Sequence, residues 1–161
     1  MRAWFFYTVA ALVVVLDQIT KAAVLNSLTL GRSVPVVGFL KLTYTQNTGG
    51  AFSLFSAKNS MFVVIAVVAV VALVVAYHRY QRRHLMASAA LALALGGAIG
   101  NVSDRIRFGY VVDFFDVGFW PVFNVADTAI TFAILILGWQ FVRPSPEAPA
   151  ATEPGVENHA P

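Results

Sequence analysis

From Met61 to Tyr77 the chain reads MFVVIAVVAVVALVVAY, seventeen residues without one charged or amide side chain. A helix needs about 20 apolar residues to cross a hydrocarbon core of ~30 Å, so this stretch reads as a membrane span. Three more apolar stretches accompany it: Trp4 to about Thr20, Leu85 to about Asn101 (rich in Ala and Gly), and Val122 to Phe141. The composition agrees. Of 161 residues, 58% are hydrophobic and only 12% charged, with mean hydropathy +0.73. A soluble domain carries roughly 25% charged residues. Soluble globular, disordered and coiled-coil classes are therefore excluded.

The expected fold is an all-α membrane protein: a four-helix transmembrane bundle with a small periplasmic β-element. Residues 1–143 form the transmembrane domain, with helices about 4–20, 61–77, 85–104 and 122–142. Residues 144–161, Pro- and Ala-rich with Glu147, Glu153 and Glu157, read as a disordered cytoplasmic tail. The first stretch also has the n- and h-regions of a signal peptide, Arg2 and Ala3 to Leu16. It lacks a small-x-small cleavage site and carries Asp17.

The segment His78–His84 packs three arginines into seven residues, which places it and both termini on the cytoplasmic side. The connection from Ala22 to Ser60 is too long to be bare. Within it, apolar and polar residues alternate from Leu40 to Thr45, the pattern of a strand with one apolar face, expected to lie against the membrane surface. The net charge of +3 belongs to this topology, and no nucleic-acid partner is expected.

Three of the eight acidic residues are tail glutamates; the other five are Asp17, Asp104, Asp113, Asp116 and Asp127. On the four-span topology all five sit at the non-cytoplasmic end, with Asp113 and Asp116 in the loop between helices 3 and 4. Ionisable groups at membrane depth are costly, and a cluster of them marks a polar site. Asp17 and Lys21 are i,i+4 and make a local ion pair. Asn47-Thr48-Gly49-Gly50-Ala51-Phe52 is a Gly-bearing turn that brings backbone close to a ligand, with Asn47 as a donor. Asn101, Asp104 and Arg105 share a helical face, and Asp104 and Arg105 could form a structural ion pair. Asn124 and Asp127 are i,i+3 on helix 4.

The chemistry is narrowed by what is missing. There is no cysteine, and His78, His84 and His159 fall on the other side, so no metal site and no cofactor are expected, although carboxylate oxygens alone could hold a divalent cation. A Ser–Lys pair drawn from Ser53, Ser56 or Ser103 with Lys21 or Lys58 lacks a nucleophile signature. Two aspartates sharing a site fit best: one stays protonated as acid while the other deprotonates a water. Spacing alone does not say which two. A non-enzymatic transporter or assembly subunit, using an Asp as proton relay, is the competing class.

Taken in order, the motifs at Asp17–Lys21, Asn47–Phe52, Gly100–Arg105, Val111–Phe114 and Phe123–Asp127 resemble those of the bacterial lipoprotein signal peptidases, also called signal peptidase II. The resemblance implies an aspartic peptidase of the bacterial inner membrane, and the chain is expected to be a monomer. It implies cleavage of diacylglyceryl-modified prolipoproteins before the lipidated Cys, with Asp113 and Asp127 as the catalytic dyad and the site facing the periplasm. Asp17, Lys21, Asn47, Gly49, Asn101, Asp104, Arg105 and Asn124 would bind substrate or support the site. It further implies a β-cradle on the outer side, contact with membrane lipid, and inhibition by globomycin-type peptide antibiotics. Gly50 departs from the larger residue common in relatives.

Overall fold

A computed structural model describes residues 3–49, 59–80 and 85–142. The element order is α1 (Ala3–Ser27), β1 (Ser33–Val37), β2 (Leu40–Asn47), α2 (Asn59–Tyr80), α3 (Leu85–Phe108), β3 (Val111–Asp116) and α4 (Val125–Val142). Ala3–Ser27, Asn59–Arg79 and Leu85–Phe108 are each long and apolar enough to cross a membrane, while the apolar stretch Val125–Gln140 is shorter. At 1.5 Å per residue, α4 is roughly 27 Å long, close to the thickness of the hydrocarbon core.

Helix α3 is the central element, packed against α1, α2 and α4. Its buried positions explain this: Ser88, Ala90, Ala92, Gly96, Gly97 and Gly100 are small, so neighbouring backbones come close. At one end Phe6, Ala10, Tyr77, Ala92 and Leu95 form a core cluster, with the Phe6 and Tyr77 rings stacked at 3.6 Å. The outward faces are apolar instead of polar: Val68 on α2 is 62% exposed and Ile134 on α4 63%. In water such faces would be unstable; against acyl chains they are the stable arrangement.

The three strands form one antiparallel sheet in the order β1-β2-β3. Lys41 pairs with Asp116 and Asn47 with Val111, so the turn at Gly38–Phe39 and the loop after Asp116 leave the sheet at the same end. Val24, Tyr44, Val112 and Phe114 form a second core that joins α1 to the sheet.

Several boundaries differ from the sequence reading. Asp113 and Asp116 lie on β3, not in a loop. The run Val111–Phe114 is buried throughout, and a strand covered on both faces shows no alternation to read. Helices α1 and α3 run on to Ser27 and Phe108 because their polar residues are paired inside the bundle and do not end the helix. Helix α4 starts at Val125: Phe123 is held by a bridge to Phe115, and Asn124 stands before the first turn as its cap. Met1, Arg2, Gly50 to Lys58, Gln81 to His84 and the tail from Arg143 lie outside the described residues, and with them Ser53, Ser56 and Lys58.

Candidate active site

The polar end of the bundle is built in two layers. The inner layer is an ion network. Lys21 Nζ lies 2.8 Å from Asp17 Oδ2 and 2.9 Å from Asp104 Oδ2, and all three side chains are buried. Buried charges are costly unless their lone pairs are satisfied. Here they are satisfied by groups from other elements. Asp17 Oδ1 accepts the Ala126 N–H at 2.9 Å, which ties α1 to the start of α4. Asp104 Oδ2 accepts the Val112 N–H at 3.0 Å, which ties α3 to β3. Gln18 Nε2 donates to Asp104 Oδ1 at 2.9 Å. Gly100 makes room for this: a Cβ there would stand 2.6 Å from Asp17 Oδ2.

The outer layer is a pair of acids joined by two amides. Asn101 on α3 accepts from Lys21 Nζ at 3.0 Å and donates through Nδ2 to Asp127 Oδ1 at 2.7 Å. Asn124 Nδ2 lies 3.1 Å from Asn101 Oδ1 and 2.6 Å from Asp113 Oδ1. The Asp127 N–H donates to Asn124 Oδ1 at 2.8 Å, and the Asn124 N–H to Asp127 Oδ2 at 3.3 Å, a reciprocal cap on α4. A strand residue, Asp113, and a helix residue, Asp127, thereby enter one hydrogen-bond network.

Their surroundings differ. Asp127 is half-buried in the first turn of α4, where the helix dipole favours a negative charge. Asp113 is buried on β3 between Val112 and Phe114. Burial first, and then the charge of Asp127, push its carboxyl up to about 6, against hydrogen bonds from Asn47 and Asn124 and the charge of Lys21. Two acids on one hydrogen-bond network can hold one proton between them.

The remaining residues singled out in the sequence fall as follows. The pair Asp17–Lys21 forms as its spacing suggests. The suggested pair Asp104–Arg105 does not: Asp104 turns to Lys21, and the Arg105 guanidinium lies over the Phe62 ring at 4.7 Å. Asn47 Oδ1 accepts the Gly49 N–H at 2.9 Å, and Gly49 takes a φ of 82°. Asp116 is apart from the site; the Thr43 hydroxyl and then the Gly118 N–H hold its carboxyl below the ordinary range. Among the described residues no three His, Asp or Glu side chains converge as a metal-binding group. Ser103 Oγ is turned to the Ile99 carbonyl, and Lys21 is fully engaged, so neither is set up as half of a Ser–Lys pair. The sequence reading singled out neither Gln18 nor Phe62. Gln18 carries a signal, a polar side chain in an apolar helix; Phe62 sits inside an apolar run and carries none.

Residues 9–143 match the sequence profile described as signal peptidase (SPase) II. The chain belongs to the signal peptidase II family. It is 43% identical over 143 residues to the lipoprotein signal peptidase of Moorella thermoacetica, covering 88% of this chain and 95% of the relative. To that of Pelotomaculum thermopropionicum it is 41% identical over 142 residues, covering 88% and 93%. A bacterial membrane enzyme structure determined by the in meso method at 1.9 Å resolution superposes with a TM-score of 0.84 at 30% identity, covering 89% of this chain and 96% of that one. As a signal peptidase II, the chain is an aspartic peptidase that processes prolipoprotein signal peptides. The transporter and assembly-subunit class falls away with that membership.

Proposed function

We propose that Asp113 and Asp127 are the catalytic pair and that the bond cut is the one before the diacylglyceryl-modified Cys of a prolipoprotein. The observation that carries this reading is the Asn101–Asn124 bridge, which joins these two carboxylates at one end of the bundle. Asp127, which accepts hydrogen bonds on both oxygens in the first turn of α4, is the base that takes a proton from a water held between the acids. The water oxygen bonds to the scissile carbonyl carbon. Asp113, which holds the shared proton, gives it to the departing amine as the C–N bond breaks. The pair then returns to its one-proton state. Arg105 and Asn47 are donors for the substrate backbone.

The same reading puts the site on the periplasmic side of the inner membrane, with both termini cytoplasmic and the chain acting as a monomer. The exposed apolar side chains at one end of the sheet support an outer-surface contact with lipid: Phe39, Phe119 and Trp120 are 70%, 82% and 64% exposed. Globomycin-type peptides would occupy the substrate cleft. The reading is tested by mass spectrometry of the products from a prolipoprotein with and without its diacylglyceryl group. A new N-terminus at the lipidated Cys, from the modified form alone, is expected. A cut elsewhere, or equal cleavage of both forms, would overturn the assignment.

A further inference from the structure

Arg105 approaches the acids and pairs with none. Neither ion pair among the described residues includes it, and its buried Nη1 has no hydrogen-bond partner there. The carboxylates of Asp113, Asp127 and Asp104 are nevertheless within electrostatic reach of its guanidinium. A guanidinium near carboxylates ordinarily closes into a fork-to-fork pair.

This one stands instead against the Phe62 ring. The guanidinium carbon of Arg105 lies 4.7 Å from the centroid of the Phe62 ring. The attraction between a cation and a ring face holds the group at that distance. The ring is itself fixed from two directions. Asn59 Nδ2 donates to the Arg105 carbonyl at 2.8 Å, which sets the first turn of α2 against the end of α3. Gly49 rests on the Cε2–Cζ edge of the ring, where an added Cβ would stand 2.6 Å from both atoms. One phenylalanine thus joins the Asn47–Gly49 turn to Arg105, the two proposed donors to the substrate backbone.

We infer that Phe62 is a positioning residue for the peptidase reaction: its ring holds the Arg105 guanidinium off Asp113 and keeps Nη1 free for a substrate carbonyl. The inference rests on the proposed dyad and on Arg105 as a substrate donor. Without the ring, Arg105 closes on Asp113. Two losses follow: a donor to substrate, and the affinity of Asp113 for the shared proton. The charged groups around Asp113 are Asp127 on α4, Lys21 on α1 (itself paired with Asp17 and Asp104) and Arg105 on α3; β2 brings only uncharged Asn47 and Thr45.

The test is the pH profile of kcat/KM for cleavage of a lipidated prolipoprotein by the full chain in lipid-like detergent. Phe62→Leu is expected to lower kcat/KM roughly tenfold and to move the alkaline limb down by about one pH unit. Phe62→Tyr, which keeps a ring face, is expected to retain both values. Phe62→Met replaces the leucine variant if that one melts below the assay temperature. Adding Arg105→Gln to Phe62→Leu returns the limb to its wild-type position, because no cation is left to close on Asp113. A leucine variant with reduced activity and an unmoved limb, or a tyrosine variant as impaired as the leucine one, would overturn the inference. Cleavage surviving Asp113→Asn in an otherwise wild-type chain would instead overturn the dyad itself, an outcome read without any change at Phe62.

Discussion

Asn124 and Asp127 cap each other at the start of α4, the Asp127 N–H reaching Asn124 Oδ1 at 2.8 Å and the Asn124 N–H reaching Asp127 Oδ2 at 3.3 Å. Helix capping and acid placement are here one arrangement. The Asn124 side chain also donates to Asp113 Oδ1 at 2.6 Å, so the residue that starts the helix spaces the two acids.

Substitution at Asn124 separates the two roles. Serine caps a helix about as well as asparagine but has no amide donor. Asn124→Ser is expected to melt close to wild type while losing at least roughly a hundredfold in kcat, in the range of a lost positioning contact. Asn124→Ala is expected to lose the activity and also about 1 kcal/mol of stability from the missing cap. Thermal melts beside cleavage rates check both. A serine variant with near-normal kcat would remove Asn124 from the site.

Asp113 destabilises the fold it serves. Its carboxyl is raised from 3.8 to about 6, so the folded chain binds this proton more tightly than the unfolded chain. Stability from this group is full below about pH 4, falls as pH rises toward 6, and stays lost above that. Asp113→Asn is therefore expected to melt higher than wild type at pH 7.5, by up to roughly 2–3 kcal/mol. The gain should vanish near pH 4. A variant less stable than wild type at pH 7.5 would contradict this.

Lys21 sits between two buried carboxylates, and removing it leaves both without their cation. Lys21→Met is expected to cost roughly 3–5 kcal/mol. Adding Asp17→Asn should recover part of that, because one fewer buried charge is left alone. Melting temperatures of the single and double variants in one detergent check the coupling. Simple additivity would mean that the lysine and Asp17 do not act together.

Gly100 gives Asp17 its place. The methyl of Gly100→Ala would stand 2.6 Å from Asp17 Oδ2 and 3.3 Å from Ala126 Cβ. The expected loss is about 1–3 kcal/mol, with reduced cleavage because Asp17 holds the Ala126 N–H beside Asp127. Cleavage and melting are measured together; an alanine variant with wild-type values on both would contradict the tight approach of α1, α3 and α4.

The membrane spans were legible because runs such as Met61–Tyr77 need no context to be read. The i,i+4 pair Asp17–Lys21 was legible for the same reason: both partners lie on one turn-and-a-bit of helix. Lys21–Asp104 was not, because only the packing of α1 on α3 creates it. Strand β2 showed its alternation, whereas β3 is buried on both faces and interrupted by Asp113. Arg105 was readable as a polar group near the site, but its neighbour Phe62 looked like any other apolar residue of a span.

The most direct measurement is cleavage of a lipidated prolipoprotein by the purified full chain, with a chelator present, for wild type, Asp113→Asn and Asp127→Asn, each with a melting curve. The account predicts cleavage by wild type that survives the chelator and is abolished in both variants while both remain folded. Cleavage retained by either folded variant would contradict the proposed pair.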